Sequence, residues 1–553
     1  MSQAEPKTAP KGNRLLRRLR LPLLWLGFFA LYASTVARGL LPADSGEFQL
    51  AAARWGILHP PGYPLYTVIG GLWVHLLPWG TAMWRLNLLS AALAATTLLF
   101  LVEAVRRWSD EETAGWLGGL LAATVLATAP TFWAQATTAN IRMPTMLFAA
   151  WGFWALAGMT AAAPSSQGLA LAVALGLGLG HHPSLLFIAS GWALHLLLSR
   201  PDLLRRPRRM AALIAVTLLS WGLPQLYLPL RGRMHDVPLA VPDLDTWHGF
   251  WHHVLARGFA GDMFAFANAA DLALRLPLLP TLFHVQFPWA VLLGAALAWL
   301  WLLRRRSKLA AALGLSLLVH TFVTITYRAP QTVEYLMPAY LPIVIALGTG
   351  GAQALQAGNR LPRRFRRGAA AVSLLTLLLL AARGAAMWRD FRLQADDGAL
   401  RRRLEPLLRD APPGATVLAD WRWATPLWVL QQVEGLRPDV AVAYVYPVRG
   451  RDYEAIWQER AQAVEGALFT THRFDWADWT FVPWGGGYRL YRRPLVIWEP
   501  PPDFRPLSGT TGPLAPLAWR PSEPLRPGST TVVDLAWRRM APAARPPSWT
   551  VRL

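Results

Sequence analysis

The chain has 553 residues, 54% of them hydrophobic, and carries 54 Lys and Arg against 32 Asp and Glu, a formal net charge of +22. The positive charge does not form one basic face or tail. It comes in bursts between apolar runs, at residues 14–20, 205–209, 304–308 and 363–367, which argues against a nucleic-acid partner and marks membrane-protein loops on the cytoplasmic side. There is no cysteine, so disulfides, thiolate nucleophiles and zinc–sulfur sites are excluded.

A span of the bilayer core takes about 20 helical residues. The first apolar run, 21–37, follows a basic cytoplasmic segment (1–20) and has the layout of a signal sequence. We read it as an uncleaved first helix that delivers Asp44 to the outer side. Further spans follow at about 86–105, 115–129, 144–160, 169–179, 185–198, 211–230, 286–303, 309–326, 335–350 and 369–386, about eleven in all. The fifth, glycine-rich and short, is kept because its loss would move the later basic clusters outside. The proline-rich polar loops 44–64, 130–140, 181–183, 231–284 and 327–334 then share the other face. After 386 the apolar runs shorten. Residues 415–419 and 439–446 read as strands around a helix at 425–434, with a further strand at 494–498. The expected architecture is an all-α polytopic membrane domain (21–386), a small α/β extracytoplasmic domain (387–499) and a proline-rich extension (500–553) wrapping it as irregular chain. The glycine run 485–487 lacks a following Lys-Ser/Thr and reads as a turn, not a phosphate loop.

The first outer loop holds two carboxylates, Asp44 and Glu47, three residues apart at the end of a span. From Gly46 onward a helix would place Phe48, Ala51, Ala52 and Trp55 on one apolar face, as in a helix lying in the interface. Asp-x-x-Glu before such a helix is also a capping box. The other reading is a general base acting on an incoming hydroxyl. The two are compatible, one carboxylate capping while the other faces substrate. Residues 59–64, rich in proline, cannot continue the helix.

Asp44-Ser-Gly-Glu47, His59-Pro-Pro-Gly-Tyr63-Pro-Leu65 and Arg85-Leu-Asn87 resemble the signature of a family of multi-pass membrane proteins that includes an O-mannosyltransferase of plexin-type receptors, within the GT-C glycosyltransferase superfamily. The resemblance continues at Phe132-Trp133-Ala134-Gln135, Gly180-His181-His182, Tyr227 to Arg231, Glu334-Tyr335-Leu336-Met337-Pro338 and Leu427 to Asp439. It implies a GT-C fold, a polyprenyl-phosphate sugar donor, a protein or glycan acceptor on the extracytoplasmic face, and an acidic first-loop base. That role falls on Asp44, with Glu47 second. Two departures stand out. Asn140-Ile141-Arg142 replaces a Glu-Val-Tyr-like run of relatives, and Trp421-Arg422-Trp423 stands where acidic or Asn residues are common.

A lipid phosphate on the outer side needs cations. Arg54, Arg85, Arg231 and Arg328 are placed for this, since guanidinium matches phosphate bidentately; their other reading is interfacial anchoring. His181 and His182 sit at the mouth of a glycine-rich helix as phosphate contacts or, less favoured, metal ligands. His59 reads as a hydrogen-bonding fixture of the loop. Tyr63 and Tyr335 lie within motifs, and Glu334 is a reserve base. No metal is assigned; a divalent cation is the less favoured alternative. The expected setting is the plasma (inner) membrane with the N-terminus cytoplasmic. A flippase of lipid-linked sugars and a non-catalytic scaffold are the competing functions. Paired repeats with broken mid-membrane helices, the mark of many transporters, are not evident.

Overall fold

The computed structural model describes residues 11–159, 165–203, 205–329, 331–359, 362–395, 398–492, 504–507, 514–521 and 533–539. The expected strand at 494–498 and most of the turn at 161–167 lie outside them. The chain divides into two compact units, Met1–Gly398 and Ala399–Leu553. The boundary expected after 386 falls later because residues 387–395, though polar, continue the preceding helix.

The first unit is helical. Its elements are α1 (Lys11–Ala33), α2 (Ala43–Arg54), α3 (Pro64–Leu76), α4 (Ala82–Arg107), α5 (Glu112–Ala127), α6 (Pro130–Ala136), α7 (Arg142–Ala157), α8 (Ser165–His181), α9 (Leu185–Ser199), α10 (Pro207–Gln225), α11 (Tyr227–Gly232), α12 (Trp247–Val254), α13 (Ala269–Arg275), α14 (Leu279–Gln286), α15 (Trp289–Arg305), α16 (Ser307–Thr326), α17 (Thr332–Tyr335), α18 (Tyr340–Asn359) and α19 (Arg363–Ala395). Among the described residues, four helices are long and apolar enough to cross a membrane, or up to six if each bent pair is one span. The eleven expected spans are not confirmed by this length criterion; several of the apolar runs form helices of 10–17 residues, α8 and α9 among them. The 115–140 region bends by 79° between α5 and α6. Pro130 opens α6 at a position that needs no N–H donor. Arg383 of α19 holds the break, donating to the carbonyls of Thr128 (3.0 Å) and Gln286 (2.7 Å).

The core runs through α4, α5, α7, α9 and α18, with Trp133, Tyr32, Phe153 and Tyr340 fully buried in it. Small residues set the closest approach. A Cβ on Gly118 of α5 would stand 2.2 Å from the Gly348 carbonyl of α18, the close backbone contact that drives helix packing in lipid.

The second unit begins with α20 (Ala399–Arg409). Its sheet joins β1 (Thr416–Ala419), β2 (Ala441–Tyr444), β3 (Leu468–Thr470), β4 (Trp479–Trp484) and β5 (Gly487–Arg492) in the order β2-β1-β3-β5-β4. The β1–β2 pair is parallel around α21 (Trp421–Gln432), as the strand–helix–strand pattern implied. Asp420 caps α21 through the Trp423 N–H. The guanidinium groups of Arg403 and Arg422 lie over the Trp423 ring, a cation–aromatic stack. The glycine run makes the β4–β5 turn, pairing Trp484 with Gly487. The extension is not all irregular: β6 (Arg505–Pro506), β7 (Leu514–Pro521) and β8 (Val533–Arg539) form an antiparallel sheet. Its prolines are tolerated because Pro516 stands at a register irregularity and Pro506 and Pro521 at strand ends.

Candidate active site

The capping box expected at Asp44 does not form. Pro42 is the N-cap of α2 and makes no side-chain cap, and Asp44 sits inside the first turn, where the helix dipole favours a carboxylate. Glu47 reaches forward instead of back. Its Oε1 accepts the His59 backbone N–H at 2.6 Å, and its Oε2 meets His59 Nδ1 at 2.5 Å. Nor does α2 lie on a surface: every residue from Gly46 to Ala52 is buried. Phe48, Ala51 and Ala52 pack with Leu58, Tyr63, Tyr66 and Leu86.

The loop after α2 is held by a second outer segment. Tyr227 donates its hydroxyl to the Gly56 carbonyl, Ile57 N–H bonds Pro238, and His253 Nε2 donates to the Leu58 carbonyl. Gly62 has φ +94°, and a Cβ there would meet His253 Nε2 and Leu228 at 3.0 Å. The motif glycine is therefore required both by conformation and by close approach.

Burial pushes the Glu47 carboxyl above the usual carboxylate range, against the pull of the His59 charge and hydrogen bonds. Burial also opposes charge on His59. The Glu47 charge and hydrogen bond, with the Asp44 charge, outweigh it and raise His59 to about 9. The pair is thus an imidazolium held on a carboxylate, with Asp44 beside it and less buried than Glu47. Ligand atoms of Asp44, Glu47 and His59 lie within 4.8 Å of one another. They could hold one divalent cation, which would have to replace the Glu47–His59 hydrogen bond.

Other expected residues gather here. The Tyr63 ring stacks on His182 (centroids 5.9 Å apart) and packs on His181 (5.7 Å), while His182 packs on Tyr335. His181 bonds the Ile141 carbonyl through Nε2 (2.9 Å), and His182 Nδ1 accepts the Ser184 N–H (3.1 Å). His182 thus has its Nδ1 lone pair committed to the backbone, whereas His181 donates through Nε2 and leaves Nδ1 without a partner among the described residues. Glu334 is half-buried in α17, next to Tyr335.

The expected cations are occupied elsewhere, apart from Arg54, which is exposed at the end of α2. Arg85 donates to the Leu77 carbonyl. Arg231 donates to the Trp55 carbonyl (2.8 Å), and Arg328 is paired with Asp262 at 2.5 Å. Asn87 is a latch. It donates to the Ala37 carbonyl (2.8 Å) and accepts from the Ala139 N–H (2.9 Å) and from Gln49 (3.3 Å).

The residue that sequence reasoning missed is Arg142. It is 7% exposed at the start of α7, its guanidinium 3.5 Å from the Tyr335 ring centroid and bonded to Gln331 (3.2 Å). Asn140 fixes that helix start, its Oδ1 accepting from the N–H groups of Arg142 and Met143. The signal was in the sequence: one arginine at the mouth of an apolar helix, where a charge is costly without a use.

Residues 44–204 match the family described as Protein O-mannosyl-transferase TMEM260 N-terminal domain. The protein O-mannosyl-transferase TMEM260 of Mus musculus is 29% identical over 233 residues, 40% of this chain and 32% of that protein. Its counterpart in Dictyostelium discoideum is 25% identical over 253 residues, 43% of this chain and 30% of that protein. The matched stretches thus span about a third of these relatives. Among solved structures, ArnT from Cupriavidus metallidurans bound to undecaprenyl phosphate superposes with a TM-score of 0.55 at 14% identity, covering 87% of this chain and 98% of that one. That likeness concerns the fold. The resemblance read from the first-loop motif therefore holds: residues 44–204 match the N-terminal domain of the TMEM260 O-mannosyl-transferase family, and the fold is similar to that of ArnT.

Proposed function

We propose that the chain is a membrane glycosyltransferase that moves a sugar, mannose by analogy with the relatives' names, from a polyprenyl-phosphate donor to a protein or glycan hydroxyl on the non-cytoplasmic face of the inner membrane. The observation that carries this reading is the grouping of Asp44, Glu47 and His59 within 4.8 Å, inside the residues matched by the family. Glu47 has both oxygens engaged by His59 and acts as a positioning group. Asp44 is the general base. It takes the acceptor hydroxyl proton as the acceptor oxygen bonds to the sugar's anomeric carbon. The bond from that carbon to the phosphate oxygen breaks, its electron pair leaves with the polyprenyl phosphate, and a single displacement inverts the anomeric centre.

The test is transfer of radiolabelled mannose from polyprenyl-phosphate mannose in nanodiscs. A new glycosidic bond between the labelled mannose and the acceptor is expected from the wild-type chain. Asp44→Asn should lower its rate by at least about 100-fold, within the range for loss of a general base, with the melting temperature unchanged. Translocation of the labelled lipid without bond formation would replace the enzyme reading by a flippase. Full activity in Asp44→Asn would remove Asp44 as base.

A further inference from the structure

We infer that Arg142 is the residue that receives the phosphate of the lipid donor, in place of the outer-loop arginines; this deepens the proposed function and rests on it. A guanidinium cannot shed its charge, so burying one is costly unless an anion or a full set of hydrogen bonds compensates it. Arg142 is 7% exposed. Its side chain has two neutral partners, Gln331, to which it donates, and Tyr335, which it meets both over the ring and through a side-chain hydrogen bond. Among the described residues no carboxylate forms an ion pair with it. The nearby acid whose charge acts on it is Asp44, the proposed base.

The surroundings are rich in donors. His182 accepts the Ser184 N–H at Nδ1, so in the neutral ring the proton sits on Nε2, a donor. The Tyr63 and Tyr335 rings flank His182 and carry hydroxyl donors. His320 donates to the Tyr335 carbonyl (2.8 Å) and holds that residue in place. An arginine, an imidazole N–H and two phenols form a recognition set for an oxyanion with several acceptor oxygens, and a phosphate monoester or diester fits it better than a single hydroxyl. Of the alternative cations, Arg231 is bonded to the Trp55 carbonyl, Arg328 is paired with Asp262, and Arg54 is exposed to solvent. The buried guanidinium thus has a purpose. It places the phosphate of the leaving group near, but distinct from, the base.

The experiment measures binding of undecaprenyl phosphate to the full chain in zwitterionic nanodiscs, with undecaprenol and inorganic phosphate as controls. The wild-type chain should bind undecaprenyl phosphate and not undecaprenol. Arg142→Gln should weaken binding at least about 30-fold, as expected when a buried charge-assisted pair is broken. Arg142→Lys, which keeps the charge and loses the fork, should fall between, and its melting curve guards against misfolding of the glutamine variant. Arg231→Gln and Arg328→Gln should bind within about threefold of wild type. Equal binding by wild type and both Arg142 variants, or loss centred on Arg231 or Arg328, overturns this assignment and leaves the enzyme reading intact. Failure of the wild-type chain to bind undecaprenyl phosphate while it still binds inorganic phosphate refutes the lipid donor itself. Failure to bind either refutes both.

Discussion

The Glu47–His59 pair permits a quantitative test. Glu47 is 1% exposed and His59 26% exposed, and two hydrogen bonds join them. Raising the imidazole from 6.5 to about 9 corresponds to about 3 kcal/mol of preference for the charged ring, at 1.36 kcal/mol per tenfold. A single Glu47→Gln variant would mix that loss with relief of the burial cost on the carboxylate. A cycle of Glu47→Gln, His59→Asn and the double variant isolates the pair. Followed by Trp fluorescence on denaturation in nanodiscs at pH 7, it should give a coupling of about 3 kcal/mol, the double variant being little worse than the worse single. The pH dependence has a definite sign. The folded value of His59 lies above its unfolded one, so its contribution is complete below pH 6.5 and disappears as pH rises through about 9. At pH 10 the coupling should shrink to the residue of neutral hydrogen bonding, roughly 1 kcal/mol. Additive effects at pH 7, or a coupling unchanged at pH 10, would refute the ion pair.

Two further variants probe the scaffold. Asn87→Ala removes a latch bonded to the Ala37 carbonyl, the Ala139 N–H and Gln49; it should cost about 2–4 kcal/mol by leaving buried groups unsatisfied, read as a lower midpoint with Asp44 chemistry otherwise intact. Asn140→Ala removes the acceptor for the first N–H groups of α7 and should cost about 1 kcal/mol. It should weaken undecaprenyl phosphate binding through displacement of Arg142, whereas Thr96→Ala, distant in sequence and bonded to Trp25, should not.

The sequence was most informative where local chemistry dictates structure. Ser307–Thr326 and the β1–α21–β2 unit follow apolar run length and strand–helix alternation, and both stand close to where the pattern put them. The rigid first loop was legible because its prolines and glycine admit few conformations. What remained hidden depends on tertiary contact. Nothing in Asp-x-x-Glu says that Glu47 turns forward to a histidine twelve positions on, since a capping box has the same spacing. The partners of Arg231 and Arg328 are a backbone carbonyl 176 residues away and an aspartate 66 away, beyond any local pattern. Arg142 looked like a lost acid because its use depends on Tyr335 and Gln331, which arrive from α17 and the residue before it. Span number stays open between the four to six long apolar helices among the described residues and the eleven expected, because periodicity cannot tell a membrane crossing from a short apolar helix packed inside the unit.

Sugar transfer on the outer face requires that the acidic loop meet the non-cytoplasmic solution. The chain has no cysteine, so single cysteines can be introduced without background. His235 is exposed in the segment that packs on the first loop, and Arg205 is exposed in a basic cluster. Labelling intact cells with a membrane-impermeant maleimide should modify His235→Cys at once and Arg205→Cys only after permeabilisation. Modification of Arg205→Cys in intact cells, with His235→Cys protected until lysis, would put Asp44 in the cytoplasm and contradict transfer on the outer face.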